Sequence, residues 1–219
     1  MANPRTVVVL VNGGPLSVPW IAEHVPAVVE AWYGGEQAGA ALADVLLGDA
    51  SPGARLPLTV VRGTSDLPPF DDYDVAKGRT YHYFTGEPLY PFGHGLSYTR
   101  FEHRALALAS ARVRDGDTLV ATLEVANGGE RAGDEVVQLY VGAGNRAPGS
   151  PVLALRAFER LSLRAGEARR VMLRVPVRDL ARWDVERQAF VVDPGAYEVR
   201  LGASSADTRQ RARLEVVRD

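Results

Sequence analysis

Residues 88–101 (PLYPFGHGLSYTRF) constrain the fold more than any other stretch of this chain of 219 residues. They place aromatic side chains and a histidine among two prolines and two glycines, so the segment can form neither a regular helix nor a long strand. Large apolar rings in an irregular segment are stable only when they are buried against another part of the protein. The stretch therefore predicts a connector that is packed between two domains, because a flexible linker would be polar and poor in aromatic residues.

The residues that precede this connector predict an α/β layer. Residues 6–11 (TVVVLV) form a β-branched run that is closed by Asn-Gly-Gly-Pro at residues 12–15, which is typical of a buried parallel strand and its turn. Residues 21–32 carry apolar side chains at helical intervals and predict a helix that Pro26 shortens or kinks. The first strand is therefore expected to lead into a helix.

A second helix and a second strand are predicted next. Residues 36–47 place small and apolar side chains on one stripe, and Gly48 ends this predicted helix. Residues 56–61 return as a strand, after which residues 62–77 form a surface loop rich in Pro and Asp. Two strands and two helices cannot cover both faces of a parallel sheet. The sequence therefore predicts an incomplete α/β layer, a partial parallel sheet with helices, whose open edge lies at residues 6–11.

Beyond residue 101 the chain predicts an all-β antiparallel sandwich. Seven short segments alternate between apolar and polar residues and are separated by turn sequences such as Asn-Gly-Gly and Asp-Pro-Gly. Residues 177–183 (VRDLARW) predict one helical turn, with Trp183 closing the end of the sandwich. A carbohydrate platform is the alternative role of Trp183, disfavoured because the sequence shows no aromatic neighbour on the same face. The predicted strands are residues 119–125, 135–141, 153–163, 170–175, 189–192, 196–201 and 211–217.

Four stretches of the chain resemble glycoside hydrolase family 3. The connector sequence PLYPFGHGLSYT is similar to a segment that, in this family, joins an α/β sandwich domain to a fibronectin-III-like domain. Three further stretches agree with the family in order and spacing, namely VVVLVNGGPLSVPW at 7–20, WYGGEQAGAALADVLLGDASPGARLP at 32–57 and VERQAFVVDPGAYEVRLG at 185–202. The resemblance implies that residues 1–87 are the C-terminal remnant of the α/β sandwich domain, residues 88–100 a packed connector, and residues 101–219 an immunoglobulin/fibronectin-III-like domain.

The same resemblance implies a segment of a retaining, exo-acting β-glycosidase of the β-glucosidase or β-xylosidase type, which removes terminal β-linked sugars. Retaining glycosidases need two carboxylates about 5 Å apart. In the family these are an Asp in a barrel domain and a Glu in an upstream loop of the sandwich domain. No segment here matches either motif, so no catalytic residue is predicted and the chain alone is expected to be inactive. Residue 1 corresponds to a point where the family sequence continues upstream, which predicts a truncated or split reading frame.

A second hypothesis is a non-catalytic module that binds carbohydrate or a partner chain. The open sheet edge at residues 6–11 would accept a strand from a separately encoded N-terminal half. A second copy of the chain, in a homo-oligomer, is the alternative protein partner. A β-linked oligosaccharide or glycoside is the substrate expected of the intact enzyme.

Two residues invite a catalytic role. Glu36 would serve a third hypothesis, a complete small hydrolase, but a carboxylate at the start of a predicted helix is favoured by the free N–H groups and the helix dipole. A structural role is therefore expected for Glu36. His94 has no Ser, Cys or Asp at a motif-like spacing, and it predicts a packed connector histidine that bonds to the backbone.

The sequence predicts no metal or cofactor site. His24, His82 and His103 are too scattered to suggest metal ligands. The acidic residues 71–74 (DDYD) lack the spaced ligands and the glycine of a calcium loop, which favours a solvated loop. The two glycines at residues 13–14 follow a strand, but the third glycine of a phosphate-binding turn is absent.

Composition excludes further classes of function. The formal net charge is −2, with 25 basic and 27 acidic residues, and gives no reason to expect nucleic acid or an anionic membrane as a partner. The absence of cysteine excludes disulfides and thiolate metal sites. No apolar run approaches the ~18 residues of a membrane span, and residues 6–11 are too short for the apolar core of a signal peptide. Localisation and sugar specificity stay open.

Overall fold

The computed structural model describes residues 3–144 and 150–218. We call residues 3–87 the α/β part, residues 88–100 the connector and residues 101–218 the sandwich. The α/β part begins with β1 (Val7–Leu10), α1 (Pro19–His24), β2 (Ala27–Glu30) and α2 (Ala38–Leu47). β1 and β2 pair in parallel, which confirms the predicted partial parallel sheet; it has two strands in the described part of the chain.

The single helix predicted at residues 21–32 is wrong. α1 ends at His24, and β2 occupies the second half of the segment. Val25 has extended dihedrals, φ −110° and ψ 130°, which are the ones favoured immediately before a proline such as Pro26. The proline ring therefore ends the helix, and the apolar residues that follow it pair with β1.

The strand predicted at residues 56–61 is also wrong. Val60 forms an isolated antiparallel bridge with Tyr90 of the connector. Close by, the backbone N–H of Leu56 donates to the carbonyl of His94 at 2.8 Å. The segment therefore satisfies its backbone groups against the connector and does not extend the β1–β2 sheet.

The helix predicted at residues 36–47 is confirmed as α2, which ends at Gly48 in the left-handed conformation with φ 87°. Residues 62–77 form the predicted loop and contain two 3-10 turns, Thr64–Asp66 and Val75–Lys77; α3 (Thr80–Tyr83) follows. In the described residues, no helix combines the length and the apolar character that crossing a membrane requires.

The sandwich contains two facing sheets and a separate hairpin. One sheet has five strands in the order β4-β12-β11-β6-β7, and the other has three in the order β3-β5-β8. All neighbours pair antiparallel except β12 and β4. The strands are β3 (Phe101–Leu108), β4 (Arg112–Val113), β5 (Thr118–Asn127), β6 (Gly133–Ala143), β7 (Ala154–Leu163), β8 (Ala168–Pro176), β9 (Arg182–Asp184), β10 (Ala189–Val191), β11 (Gly195–Gly202) and β12 (Thr208–Val216).

All seven predicted strands are confirmed, as β5 to β8 and β10 to β12. Three strands, β3, β4 and β9, were not predicted. The predicted helical turn is a 3-10 turn at Val177–Leu180, but the chain then enters β9, where Trp183 is exposed. The prediction that Trp183 closes the end of the sandwich is therefore wrong.

The hydrophobic core lies between the two sheets. Alternate residues of β5, such as Leu119, Leu123 and Val125, meet alternate residues of β6, such as Val137 and Leu139. Each of these side chains is almost fully removed from solvent, so the sheets hold each other through continuous apolar contact.

The connector is clamped to the sandwich by one buried amide. The Nε2 group of Gln138 on β6 donates to the carbonyls of Gly93 at 3.2 Å and Ala203 at 2.6 Å. Its Oε1 atom accepts from the hydroxyl of Tyr140 at 2.5 Å. Gly93 has φ 82°, and a Cβ atom there would lie 2.1 Å from Gln138 Oε1. Glycine is therefore required at this point for both its conformation and its size.

Candidate functional site

The carboxyl end of the β1–β2 sheet gathers polar side chains. Asn12, just past β1, is buried; its Nδ2 group donates to the carbonyl of Gly14 at 2.6 Å and to Glu30 Oε2 at 3.4 Å. Glu30 ends β2, and its Oε1 atom accepts from the backbone N–H of Trp32 at 3.3 Å. Open parallel sheets bind their ligands at this edge, so it is the first candidate for a functional surface.

The backbone at this edge is strained. Trp32 has φ 52°, a left-handed conformation that is unfavourable for a bulky aromatic residue. The turn places the exposed ring of Tyr33 over Gly13, where a Cβ atom would lie 2.7 Å from the ring. The Oδ1 atom of Asn12 is buried without a hydrogen-bond partner among the described residues. A carboxylate, a buried amide and the Tyr33 ring thus lie together, and such groups can hold a sugar or a loop of a neighbouring domain.

Glu36 lies outside the helix that it was expected to start. α2 begins at Ala38 with Gln37 as its N-cap, and no acidic residue occupies its first turn. The expectation that Glu36 stabilises the helix start is therefore wrong, and its side chain lies at the exposed turn after Tyr33.

A buried ionic cluster joins the α/β part to the sandwich. Arg55 Nη2 lies 2.9 Å from Glu135 Oε2, and His103 Nε2 lies 3.2 Å from Glu135 Oε1. The side chain of Arg55 is 8% exposed, that of Glu135 is 3% exposed and that of His103 is 0% exposed. Because a buried carboxylate is stable only when it is paired, Glu135 fixes the position of Arg55 against the sandwich.

A cleft of about 580 Å³ opens beside this cluster, between the connector and the loop before β12. His94 lies on its wall and stacks on Tyr90, with ring centroids 5.4 Å apart. Burial lowers the pKa of His94, and the positive charge of Arg55 lowers it further. His94 is thus a packed connector histidine, as predicted, but the described residues show no hydrogen bond from its ring to the backbone.

The remaining histidines and the acidic loop lie apart from one another. His24 stacks on Trp20 with centroids 4.6 Å apart, and His82 packs beside Tyr81. Asp72, in the acidic loop, forms an ion pair with Lys77 at 2.7 Å. Within residues 3–144 and 150–218, no group of three or more His, Cys, Asp or Glu side chains is arranged to hold a metal ion.

The sequence did not predict the residues that define the polar edge of the β1–β2 sheet or those that form the buried ionic cluster. Glu30 was interpreted as helical, although a carboxylate that ends a short apolar run also suits the end of a parallel strand. Arg55 and Glu135 are 80 positions apart, and no local pattern in the sequence links them. A charged residue at the head of the apolar run 135–141 was the available signal.

Comparison with known proteins agrees with this architecture. Residues 1–98 match the glycosyl hydrolase family 3 C-terminal domain, and residues 135–205 match the fibronectin type III-like domain. A β-glucosidase of Rhizobium radiobacter is 42% identical over 94% of this chain, and a xylan 1,4-β-xylosidase of Xylanibacter ruminicola is 38% identical over 94%. The chain spans 27% and 23% of the length of these two proteins.

Solved structures show the same fold. The β-D-glucoside glucohydrolase of Trichoderma reesei superimposes with a TM-score of 0.88 at 31% identity, over 99% of this chain and 34% of that protein. β-Glucosidase 3B of Thermotoga neapolitana, solved with α-D-glucose, gives a TM-score of 0.87 at 36% identity, over 95% of this chain and 31% of that protein. An α/β layer followed by a fibronectin-type sandwich thus also occurs in these two solved structures. The chain belongs to glycosyl hydrolase family 3, of which it carries the C-terminal domain and a fibronectin type III-like domain.

Proposed function

We propose that this chain acts as a non-catalytic segment of a retaining, exo-acting β-glycosidase that removes terminal β-linked glucose or xylose. The observation that carries the proposal is the 42% identity to a β-glucosidase over 94% of the chain, which spans 27% of that enzyme. The catalytic carboxylates would come from a barrel domain and from an upstream loop of the α/β domain, as the family resemblance implies. The 219 residues would supply structure around them and no catalytic group.

The exposed surface of the α/β part supports a role beside a larger body. The β1–β2 sheet has two strands, so its outer edges carry backbone groups that another strand can pair with. Large apolar side chains are exposed on the same part, namely Trp20, Tyr33, Leu47, Phe70 and Tyr73. A covering domain would bury both the edges and these side chains.

The sandwich would brace this wall of the active site. Gln138 holds the connector, and Glu135 holds Arg55, so two buried polar contacts fix the α/β part on the rigid sandwich. Precise placement of a wall matters in glycosidases because the reacting groups must be held within about 1 Å of their productive geometry.

A chimera tests the proposal directly. This chain would replace the matching region of the Rhizobium radiobacter β-glucosidase, and turnover of nitrophenyl β-glucoside and β-xyloside would be measured. We expect activity in the chimera and none in the purified chain. A folded but inactive chimera would overturn the structural role. Turnover by the chain alone that disappears in Glu36→Gln would overturn the non-catalytic assignment.

The alternative is a module that completes a separately encoded half. The unpaired edges of the β1–β2 sheet favour it, because an added strand would satisfy the exposed backbone groups of β1. An experiment distinguishes this module from a segment of one continuous enzyme. The barrel-containing half of the same β-glucosidase is produced as an independent chain and mixed with this chain. A stable complex with restored turnover favours the module, whereas activity only in the fused chimera favours the continuous enzyme.

A further inference from the structure

Exposed apolar side chains of the sandwich are concentrated on one hairpin. The exposed large hydrophobic residues described in 101–218 are Phe158, Met172, Trp183, Val185 and Phe190. Three of these, Trp183, Val185 and Phe190, belong to the hairpin of β9 and β10, at 48%, 73% and 74% exposure. We call residues 182–191 the aromatic hairpin. Phe158 and Met172 are exposed singly on other strands, whereas the hairpin carries three exposed apolar side chains together, which burial in the core does not explain.

The two aromatic rings lie side by side on the outer face of the hairpin. Trp183 and Phe190 are directly opposite in the antiparallel register, so their side chains point to the same face. Their ring centroids are 5.2 Å apart and the rings are inclined by 72°, so they form a corner. The alternate residues Arg182, Asp184 and Val191 are half-buried on the inner face.

Ionic contacts on the inner face hold this corner in place. Arg182 Nε lies 2.5 Å from Asp193 Oδ2, and Arg182 Nη2 lies 3.2 Å from Asp184 Oδ2. Asp184 Oδ1 also accepts from the backbone N–H groups of Glu186 at 3.1 Å and Arg187 at 3.0 Å, which closes the turn. The rings are therefore presented by a preorganised turn, and a ligand would bind without ordering it first.

We propose that the aromatic hairpin binds a β-linked glycan chain, the polymer class from which the enzyme of the proposed function would release sugars. The C–H faces of β-linked pyranose rings carry partial positive charge and are attracted to the negative faces of aromatic rings. The turn of the same hairpin carries exposed polar side chains at Glu186, Arg187 and Gln188, which can exchange hydrogen bonds with sugar hydroxyls.

The size of the surface argues against a second copy of the chain. A stable dimer buries about 800 Å² on each partner, whereas a fully buried aromatic side chain contributes about 150–250 Å². Three partly exposed side chains flanked by charged residues fall well below that area. A sugar chain needs only one or two rings to stack, so the dimensions fit a glycan.

Affinity electrophoresis of the full chain tests the proposal. Native gels would contain barley β-glucan, laminarin or xylan, and retardation would be compared with that in a gel without polysaccharide. We expect retardation by at least one polymer and a roughly tenfold weaker affinity in Trp183→Ala, because one stacking ring is removed. Trp183→Tyr should retain most of the affinity. Trp20→Ala, which removes an exposed Trp from the α/β part, is the matched control and should bind like the wild type.

Each other outcome would overturn the proposal. Wild-type chain that is not retarded by any of the three polymers shows that the hairpin does not bind glycan. Equal losses in Trp183→Ala and Trp20→Ala place the binding elsewhere, and a dimer that Trp183→Ala dissociates identifies a self-association surface. Thermal unfolding followed by circular dichroism checks that the variants fold. The gel assay measures binding and does not depend on turnover. A chain that is not retarded therefore overturns glycan binding by the hairpin, whereas an inactive chimera overturns the proposed function.

Discussion

The α/β part and the sandwich differ in how they bury apolar surface. Val60 is the one buried hydrophobic residue described before the connector, whereas the sandwich contributes a continuous cluster that includes Leu119, Leu139 and Val199. The α/β part instead exposes large side chains such as Trp20 and Leu47. Hydrophobic burial is the main favourable term in folding, so the sandwich can be stable by itself.

This difference shows where the stability of the first part comes from. Its strands and helices bury little apolar surface against one another, and its buried ion pair, Arg55 with Glu135, is made with the sandwich. In this chain the α/β part is therefore stabilised largely by its contacts with the connector and with the sandwich.

Limited proteolysis of the full chain should give the largest contrast. We expect cleavage within residues 3–87 to be much faster than cleavage within the sandwich, because regions with little buried surface open most often. Mass spectrometry of the digest should find a resistant fragment that starts near residue 101. A resistant fragment from the α/β part, with the sandwich digested, would reverse the comparison.

A matched pair of leucines should show the same contrast in free energy. Leu139 on β6 is 0% exposed and Leu47 at the end of α2 is 79% exposed. We expect Leu139→Ala to lower the free energy of unfolding by about 3–5 kcal/mol, because it leaves a cavity in the core. Leu47→Ala should change it by about 0.5 kcal/mol or less. Urea denaturation measures both, and similar losses would contradict the contrast.

Removing Arg55 tests the contact between the two parts. Arg55→Met leaves the carboxylate of Glu135 buried beside His103 alone, and we expect a loss of about 3 kcal/mol of unfolding free energy. Arg160→Met, which breaks a largely exposed pair with Asp134, should cost about 1 kcal/mol or less. If the double variant Arg55→Met/Glu135→Leu is no more stable than Arg55→Met, the loss did not come from the unpaired carboxylate.

Acid should lower the free energy of unfolding of the sandwich through Glu167, by less than the substitutions above. Hydrogen bonds from the backbone N–H of Arg164 and then from Arg169 lower the pKa of Glu167 from its ordinary 4.5 to about 2. The folded-state pKa lies below the unfolded one, so Glu167 stabilises the fold above about pH 4.5, and this contribution is lost as pH falls toward 2. Glu167→Gln should therefore reduce the pH dependence of unfolding in this range. Identical pH profiles for the two proteins would contradict the assignment.

The sandwich was predictable because its strands alternate. In residues 119–125 (LVATLEV) every second side chain, from Leu119 to Val125, is buried in the core. A strand that is buried on one face and exposed on the other must alternate between apolar and polar residues. The sequence therefore shows directly where such strands lie. The strand ends were less predictable: β6 runs from residue 133 to residue 143, where residues 135–141 were predicted.

The α/β part and the candidate surfaces were less predictable, for physical reasons. β2 has four residues, which are too few to distinguish a strand from a helix by period. The turn at residues 185–188 contains neither Gly nor Pro, so nothing in the sequence indicated that Trp183 and Phe190 face each other. The contact between Arg55 and Glu135 depends on how the two parts pack, which no local pattern encodes.

The clamp at Gln138 has a consequence for motion. Its amide holds the connector carbonyl of Gly93 and the carbonyl of Ala203 at the same time. Any rotation of the α/β part about the connector would have to break these buried bonds, and a broken buried bond is costly. We therefore expect the two parts to move as one rigid unit.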